Sequence, residues 1–464
     1  MMKTAGLMSL AIAVLAVACA RVQAPDQNLA ERLAYDSQAK ERYRLDPQWW
    51  KIYGDRRLDR LVEKALENNI DLAKAALGVT RALYQARQQQ GGLLPQFTSG
   101  GGASASKNIK TGGPPDTSVS GNLRLSYEID LWGKLADGLK AQELEYLATL
   151  EDREAVRLTL VNGVVDLYYH LAYLNDALKS TEINLENYRA LERNILVKRE
   201  AGKVAIVEPA QARQSVLNSE NTIADLEGQI QSVEQSLRDL LNLGPGDLLD
   251  LAGLSLSGLE IVEVNLDIPL SVLANRPDLK AAEFRLRKAL KNVDAAEKGW
   301  LPSITLGGAL ESSGPNLGQL MSRPTASGSL SINLPFLQWN TVFWNLRLSE
   351  TDFEGVRLDY EKTLTTALNE VSAYVRDYER ALRVLSNNEE KQAFDLNISQ
   401  YYRQRYESGA AELSDWLGAQ NTLNSSRLAT LNSRYQVMQS ENMVYKAMAG
   451  RYVDTAEELA GSGP

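Results

Sequence analysis

Histidine and cysteine are almost missing from this 464-residue chain: His170 and Cys19 are the only ones. A zinc site takes about four such ligands, so a metal centre built from them is excluded, and so is a disulfide within the chain. One histidine leaves no His-based catalytic motif, and neither a Gly-rich phosphate loop nor a nucleophile elbow occurs. Neighbouring Glu and Asp residues fall on helical faces, where charge is normally just solvated. The expectation is a protein that is not an enzyme and uses no cofactor. Basic clusters are missing as well. The net charge is −9, so phosphate neutralisation, the main force in nucleic-acid binding, has little to work with. At 44% hydrophobic and 23% charged, the composition is still that of a folded chain.

Proline is absent from 133–200 and from 340–407, and glycine there is limited to Gly133, Gly138, Gly163 and Gly355. Each run can therefore form one helix, roughly 100 Å long at about 1.5 Å per residue. Globular helices usually run about 8–20 residues, so such a length answers to a distance outside the chain. Leu160, Val164, Leu167, Leu171, Leu174 and Leu178 step alternately by four and three. Leu364, Leu368, Val371, Val375, Tyr378, Leu382 and Leu385 do the same, as do Leu226, Ile230, Val233, Leu237 and Leu240. Such seams pack one helix on another with slight underwinding. Gly202 and Gly409 lie between heptad stretches, which predicts two antiparallel helical hairpins. Glu208-Pro209 suits the first turn of a return helix, where proline is tolerated. His170 is expected on the surface or between helices, and Tyr168-Tyr169 and Tyr401-Tyr402 as helix-packing residues.

Lys3 followed by the apolar run Ala5–Ala18 is too short for a permanent span, which needs about 20 residues, and reads as an export signal. Ala16-Val17-Ala18 fits small-x-small cleavage, which leaves Cys19 first. That arrangement resembles the bacterial lipoprotein signal, in which the thiol is acylated, although Ala16 stands where that signal usually has Leu. An ordinary signal beside an incidental cysteine is the alternative. Ala20 rather than Asp after the cysteine resembles the pattern sent to the outer membrane.

The order of landmarks recurs. Asp71-Leu72 matches Asp278-Leu279, Leu94-Pro95 matches Leu301-Pro302, Trp132 matches Trp339 and Gly202 matches Gly409. Each pair is separated by the same offset, 302 − 95 = 207, which predicts a tandem duplication. The expected organisation is a signal over 1–18, an anchored equatorial segment over 19–56 and a first repeat over 57–245. A linker over 246–270, a second repeat over 271–450 and a tail over 451–464 complete it.

Each half holds two strand candidates. Leu123, Leu125, Tyr127 and Ile129 alternate with Arg124, Ser126, Glu128 and Asp130. In the second half Leu330, Ile332, Leu334 and Phe336 alternate with Ser329, Ser331, Asn333 and Pro335, and 303–311 alternates too. The stretch after Phe97 is too rich in Gly and Ser to read alone. Segments of about nine residues with this alternation suit tilted transmembrane strands. A soluble hairpin with one face packed on the long helices is the alternative. Four strands cannot close a membrane barrel, and an open sheet in lipid leaves backbone groups unpaired. A dimer supplies about eight strands, whose interior fills with side chains, so a conducting barrel needs a trimer.

The residues Trp49-Trp50 with Tyr53-Gly54-Asp55, Leu123 to Lys134, Leu273 to Asp278 and Tyr406 to Ala419 resemble the TolC-like outer-membrane factors. The lipoprotein branch that serves resistance–nodulation–division pumps is the nearer match. The resemblance implies an α+β membrane protein: a homotrimer with a 12-stranded transmembrane β-barrel, four strands per chain, continued by a 12-helix periplasmic α-barrel. It implies a passive exit duct for small toxic compounds, partnered by a periplasmic adaptor and an inner-membrane pump and anchored in outer-membrane lipid through acylated Cys19. A duct for type I protein secretion, or a coiled-coil scaffold without a pore, are the other readings. The resemblance also places Asp415 in an acidic ring at the periplasmic gate, where it would favour cations. The second acidic position falls on Gly418. Complementing a helix N-terminus is the other role open to Asp415. Glu208 and Tyr406 would belong to a link between hairpins, with Ala411 where the family has an arginine. Gly202 and Gly409 would turn the adaptor-contacting tips, and Arg124, Glu128 and Asp130 would wet the barrel lumen.

Overall fold

The computed structural model describes residues 43–454, apart from 47, 111, 248, 250, 252, 257–260, 262–263, 265–269 and 323. The export signal and Cys19 lie outside the described residues. Strand β1 (Tyr43–Asp46) leads to a 3-10 turn, Trp49–Tyr53, then to helices α1 (Arg56–Asn68) and α2 (Ile70–Gly91). Strands β2 (Gln96–Ser106) and β3 (Asp116–Ile129) follow, then α3 (Lys134–Glu200) and α4 (Glu208–Leu240). The second half repeats the order with α5 (Pro277–Lys298), β4 (Ser303–Gly314), β5 (Thr325–Asn333), α6 (Trp339–Glu407) and α7 (Leu413–Ala447). Strand β6 (Arg451–Asp454) ends it, paired antiparallel with β1.

The two proline-free runs are single helices of 67 and 69 residues, each about 100 Å long. Asp130 sits one residue beyond β3, and its carboxylate accepts hydrogen bonds from the amides of Leu135 and Ala136 (3.1 and 2.8 Å). It therefore satisfies donors left open at the start of α3. Both long helices end in one device. Gly202 and Gly409 adopt φ of +68° and +76°, and Lys203 N and Ala410 N reach back to Lys198 O and Arg405 O (2.9 and 2.7 Å). A Cβ is strained at that angle, so glycine makes the turn.

Strand ends differ from the alternation at Asp130, which lies beyond β3, at β4, which runs on to Gly314, and at β5. The pattern in 329–336 predicted a strand through Phe336, but β5 stops at Asn333. Pro335 has no N–H to give a ladder and opens a 3-10 turn over Pro335–Gln338. The Gly/Ser-rich stretch after Phe97 is β2, held by its ladder to β3. Strands β2 to β5 form one antiparallel sheet in the order β2-β3-β4-β5, with β3 and β4 joining the halves. Among the described residues both outer strands carry a free edge.

The main core sits where the helices cross below the sheet. The first seam is buried at Leu160, Val164, Leu171 and Leu174, and Tyr168 and Tyr169 are fully enclosed. Trp49 and Trp50 are buried against this centre, Trp49 at 5.4 Å from the Tyr445 ring. Each ring removes on the order of 200 Å² from water, about 5 kcal/mol gross, which fixes the N-terminal segment to the waist. The linker docks here too: Leu254, Leu256 and Val264 are buried, and the Ser255 hydroxyl donates to Asp176 at 3.0 Å. The seam on α6 is covered only in part. Val371, Tyr378 and Leu385 are buried, while Leu368 and Leu382 stay exposed. His170 lies between α3 and α7, stacked on Tyr435 at 4.9 Å. Tyr401, expected to pack between helices, is instead exposed under Arg405.

Candidate functional site

The ladder register sorts the sheet into two faces. Across β2, β3, β4 and β5, Thr98 neighbours Arg124, Ala309 and Ser327, and Gly100 neighbours Asn122, Glu311 and Thr325. Side chains alternate along each strand, so one face carries Asn122, Arg124, Ser126, Glu128, Glu311 and Ser329. The other carries Leu123, Leu125, Ile129, Leu306, Leu330 and Ile332. Among the described residues no helix covers that apolar face: Leu330 and Ile332 are 64% and 60% exposed. A soluble hairpin packed on the long helices required such a cover. Arg124 donates to Glu311 from Nη2 at 2.8 Å and from Nε at 3.3 Å, across the β3–β4 seam. Glu128 shares this face near the helical end, whereas Asp130 has left the strand for the cap of α3. No helix among the described residues is long and apolar enough to cross a membrane.

The hairpin tips lie at the opposite end. There Leu185, Tyr188 and Ile195 of α3, Ala212 and Val216 of α4, and Leu413 and Leu417 of α7 form a separate small core. It ties the second hairpin to the first. Glu208 opens α4, and its Oε1 accepts from Ala205 N at 3.0 Å. Its Oε2 lies 3.5 Å from the Tyr406 hydroxyl, at the long limit for O–H···O. Burial, and then the Glu208 carboxylate, push the Tyr406 phenol up to about 12. The Tyr406 ring stacks on Trp416 at 5.4 Å, and Lys198 Nζ sits 5.0 Å from its centroid. A lysine from α3 thus lies over the tyrosine in a tip where Ala411 brings no arginine.

Asp415 is the third residue of α7. Its carboxylate accepts from Glu412 N at 3.2 Å, and the Glu412 side chain accepts from the Asp415 amide. That capping box places negative charge at a helix N-terminus, where it is favourable by about 0.3–1 kcal/mol.

Three residues of consequence escaped the sequence reading. Glu311 was signalled: it continues the polar series Ser303, Thr305 and Ala309 by one step. Tyr188 of α3 was not. Its hydroxyl donates to Asn421 at 2.7 Å and accepts from Asn424 at 2.9 Å, both on α7. The third is Glu441, fully buried at the waist. Val437, Met438, Val444 and Tyr445, at three and four residues either side, all face the core, which is the signal that would have found it.

A family model described as outer membrane efflux protein matches residues 61–243 and again 268–450. The chain belongs to the outer membrane efflux protein family. Toxin and drug export protein A of Aggregatibacter actinomycetemcomitans is 44% identical over 413 residues, covering 89% of this chain and 90% of that protein. The probable outer membrane lipoprotein SilC of Salmonella typhimurium is 29% identical, covering 88% and 89%. The crystal structure of CusC, described in terms of folding and transmembrane channel formation, superposes with a TM-score of 0.80 at 26% identity. It covers 87% of this chain and 94% of CusC. This efflux protein is accordingly an export channel of the outer membrane.

Proposed function

We propose that three copies of the chain form a passive exit duct of a tripartite pump, with a 12-stranded barrel in the outer membrane and a 12-helix tube below it. The observation that carries this is the four-stranded sheet, apolar on one face, polar on the other and free at both edges. In lipid each unpaired edge group costs several kcal/mol, and cyclic pairing of β5 with the β2 of a neighbour removes both edges. The half-covered seam on α6 offers the helices a matching contact. A duplication underlies the repeat, supported by family matches whose starts differ by 268 − 61 = 207. The pump and adaptor supply energy and docking, the adaptor at the tips turned by Gly202 and Gly409. Asp415 and the link between Tyr406 and Glu208 sit at the closing end. Purified trimer in a planar bilayer should conduct ions; absence of any conductance, even from Asp415→Ala, would leave the pore-less scaffold.

One observation favours a second cargo: the 44% identical relative is named for toxin as well as drug export. If the duct serves protein secretion, deleting it removes a protein from the culture medium and leaves drug susceptibility unchanged. We further propose that Cys19 carries the lipid anchor. Intact-mass measurement of the mature protein should show an acyl addition that Cys19→Ser abolishes, and an unmodified wild-type mass would refute it.

A further inference from the structure

The water-side face of the sheet is built from small neutral residues, with four charged ones among them: Asp116, Arg124, Glu128 and Glu311. One cation therefore stands against three carboxylates, and it is held on one of them by two hydrogen bonds. Both partners are half exposed or more, so the pair adds little to stability. Its field is another matter. With strands about 4.8 Å apart and tilted about 40°, a 12-stranded wall lies roughly 12 Å from the axis. An arginine side chain reaching inward brings its charge within a Debye length, about 8 Å in physiological salt, of everything that passes.

We propose that the Arg124–Glu311 pair sets the charge selectivity of the outer-membrane barrel. The proposal rests on the duct reading above. Three pairs form a ring, and Arg124 restrains an otherwise acidic lumen. The barrel therefore favours cationic and zwitterionic cargo over free anions, without the deep cation well that unopposed carboxylates would create. Glu311 holds the guanidinium toward the wall, so that cargo meets a paired charge and not a bare one.

The test is the reversal potential of the reconstituted trimer across a potassium chloride gradient. It is measured in wild type and again with Asp415→Asn, so that charge at the tips does not mask the barrel. Arg124→Gln should raise the potassium-to-chloride permeability ratio and Glu311→Gln should lower it, each by roughly two- to fivefold. The exchange Arg124→Glu with Glu311→Arg keeps both pair and net charge and should restore the wild-type ratio. Conducting channels whose ratio is unmoved by either single substitution, in both backgrounds, would overturn the proposal and leave the duct standing. An exchange that shifts the ratio as far as Arg124→Gln would also overturn it. Wild-type trimers that never conduct would remove the duct itself, and this inference with it.

Discussion

Glu441→Gln is expected to abolish a loss of stability that the wild-type protein suffers between about pH 4.5 and pH 8. Glu441 is fully buried in α7. Burial, only partly offset by the hydroxyls of Tyr53 and Tyr445, pushes its carboxyl from 4.5 up to about 8. The Tyr53 hydroxyl lies 3.0 Å from Oε1, and the other groups that face it are the phenols of Tyr169 and Tyr445. No charge compensates it there, so the folded protein keeps the proton. The unfolded chain releases it near 4.5. Between those values the folded state binds one more proton, and stability falls by about 1.4 kcal/mol per pH unit as pH rises. The contribution is fully present below pH 4.5 and lost through pH 8, on the order of 3–5 kcal/mol in all. Glutamine keeps the shape without the titration. Unfolding of both proteins from pH 4 to 9 measures it: the difference between them should grow in favour of the variant as pH rises. Parallel curves would show that Glu441 is ionised in the fold.

The waist where Glu441 sits also shows how legible the chain was. Trp49-Trp50 and the Tyr53-Gly54-Asp55 turn stood out as a motif, but not as a wedge closing over α3 and α7. That closure depends on contacts hundreds of residues apart, such as Tyr53 with Glu441, and on Arg276, whose guanidinium joins Asp278, Glu370 and the carbonyl of Ala447. Local periodicity carries no trace of such partners. What is local was legible. The two long helices, their glycine turns and three of the four strands in the large sheet follow from missing prolines and from periods of 3.5 and 2. The fourth strand, β2, has side chains too small to alternate visibly, and its ladder to β3 makes it a strand. Asp130 was misplaced for a related reason. Alternation counts it with the strand, while the chain has already turned and uses its carboxylate to start a helix.

Tyr188→Phe is expected to open the periplasmic end more than Tyr406→Phe does. The resemblance points to Tyr406 and Glu208 as the link, but their contact is 3.5 Å long and its loss forfeits at most about 1 kcal/mol. That corresponds to roughly a fivefold change in the ratio of open to closed forms. Tyr188 makes two bonds of ordinary length to Asn421 and Asn424 and is nearly buried. Removing its hydroxyl forfeits two hydrogen bonds, at about 0.5–1.5 kcal/mol each, so the arrangement that ties the two hairpins together loses roughly 5- to 150-fold. We propose that opening moves the second hairpin. Its own seam near this point is polar, with Asn388 on Ser433 and Ser399 on Gln420, beside a cleft of about 390 Å³ lined by Asn388, Lys391, Asn421 and Ser425. Apolar contact through Leu413 and Leu417 and the two amides on Tyr188 hold it against the first hairpin. Open probability in single-channel records ranks the variants. If Tyr406→Phe opened the channel further than Tyr188→Phe, the weight of the link would lie at the tip and not at Tyr188, about three helical turns above it.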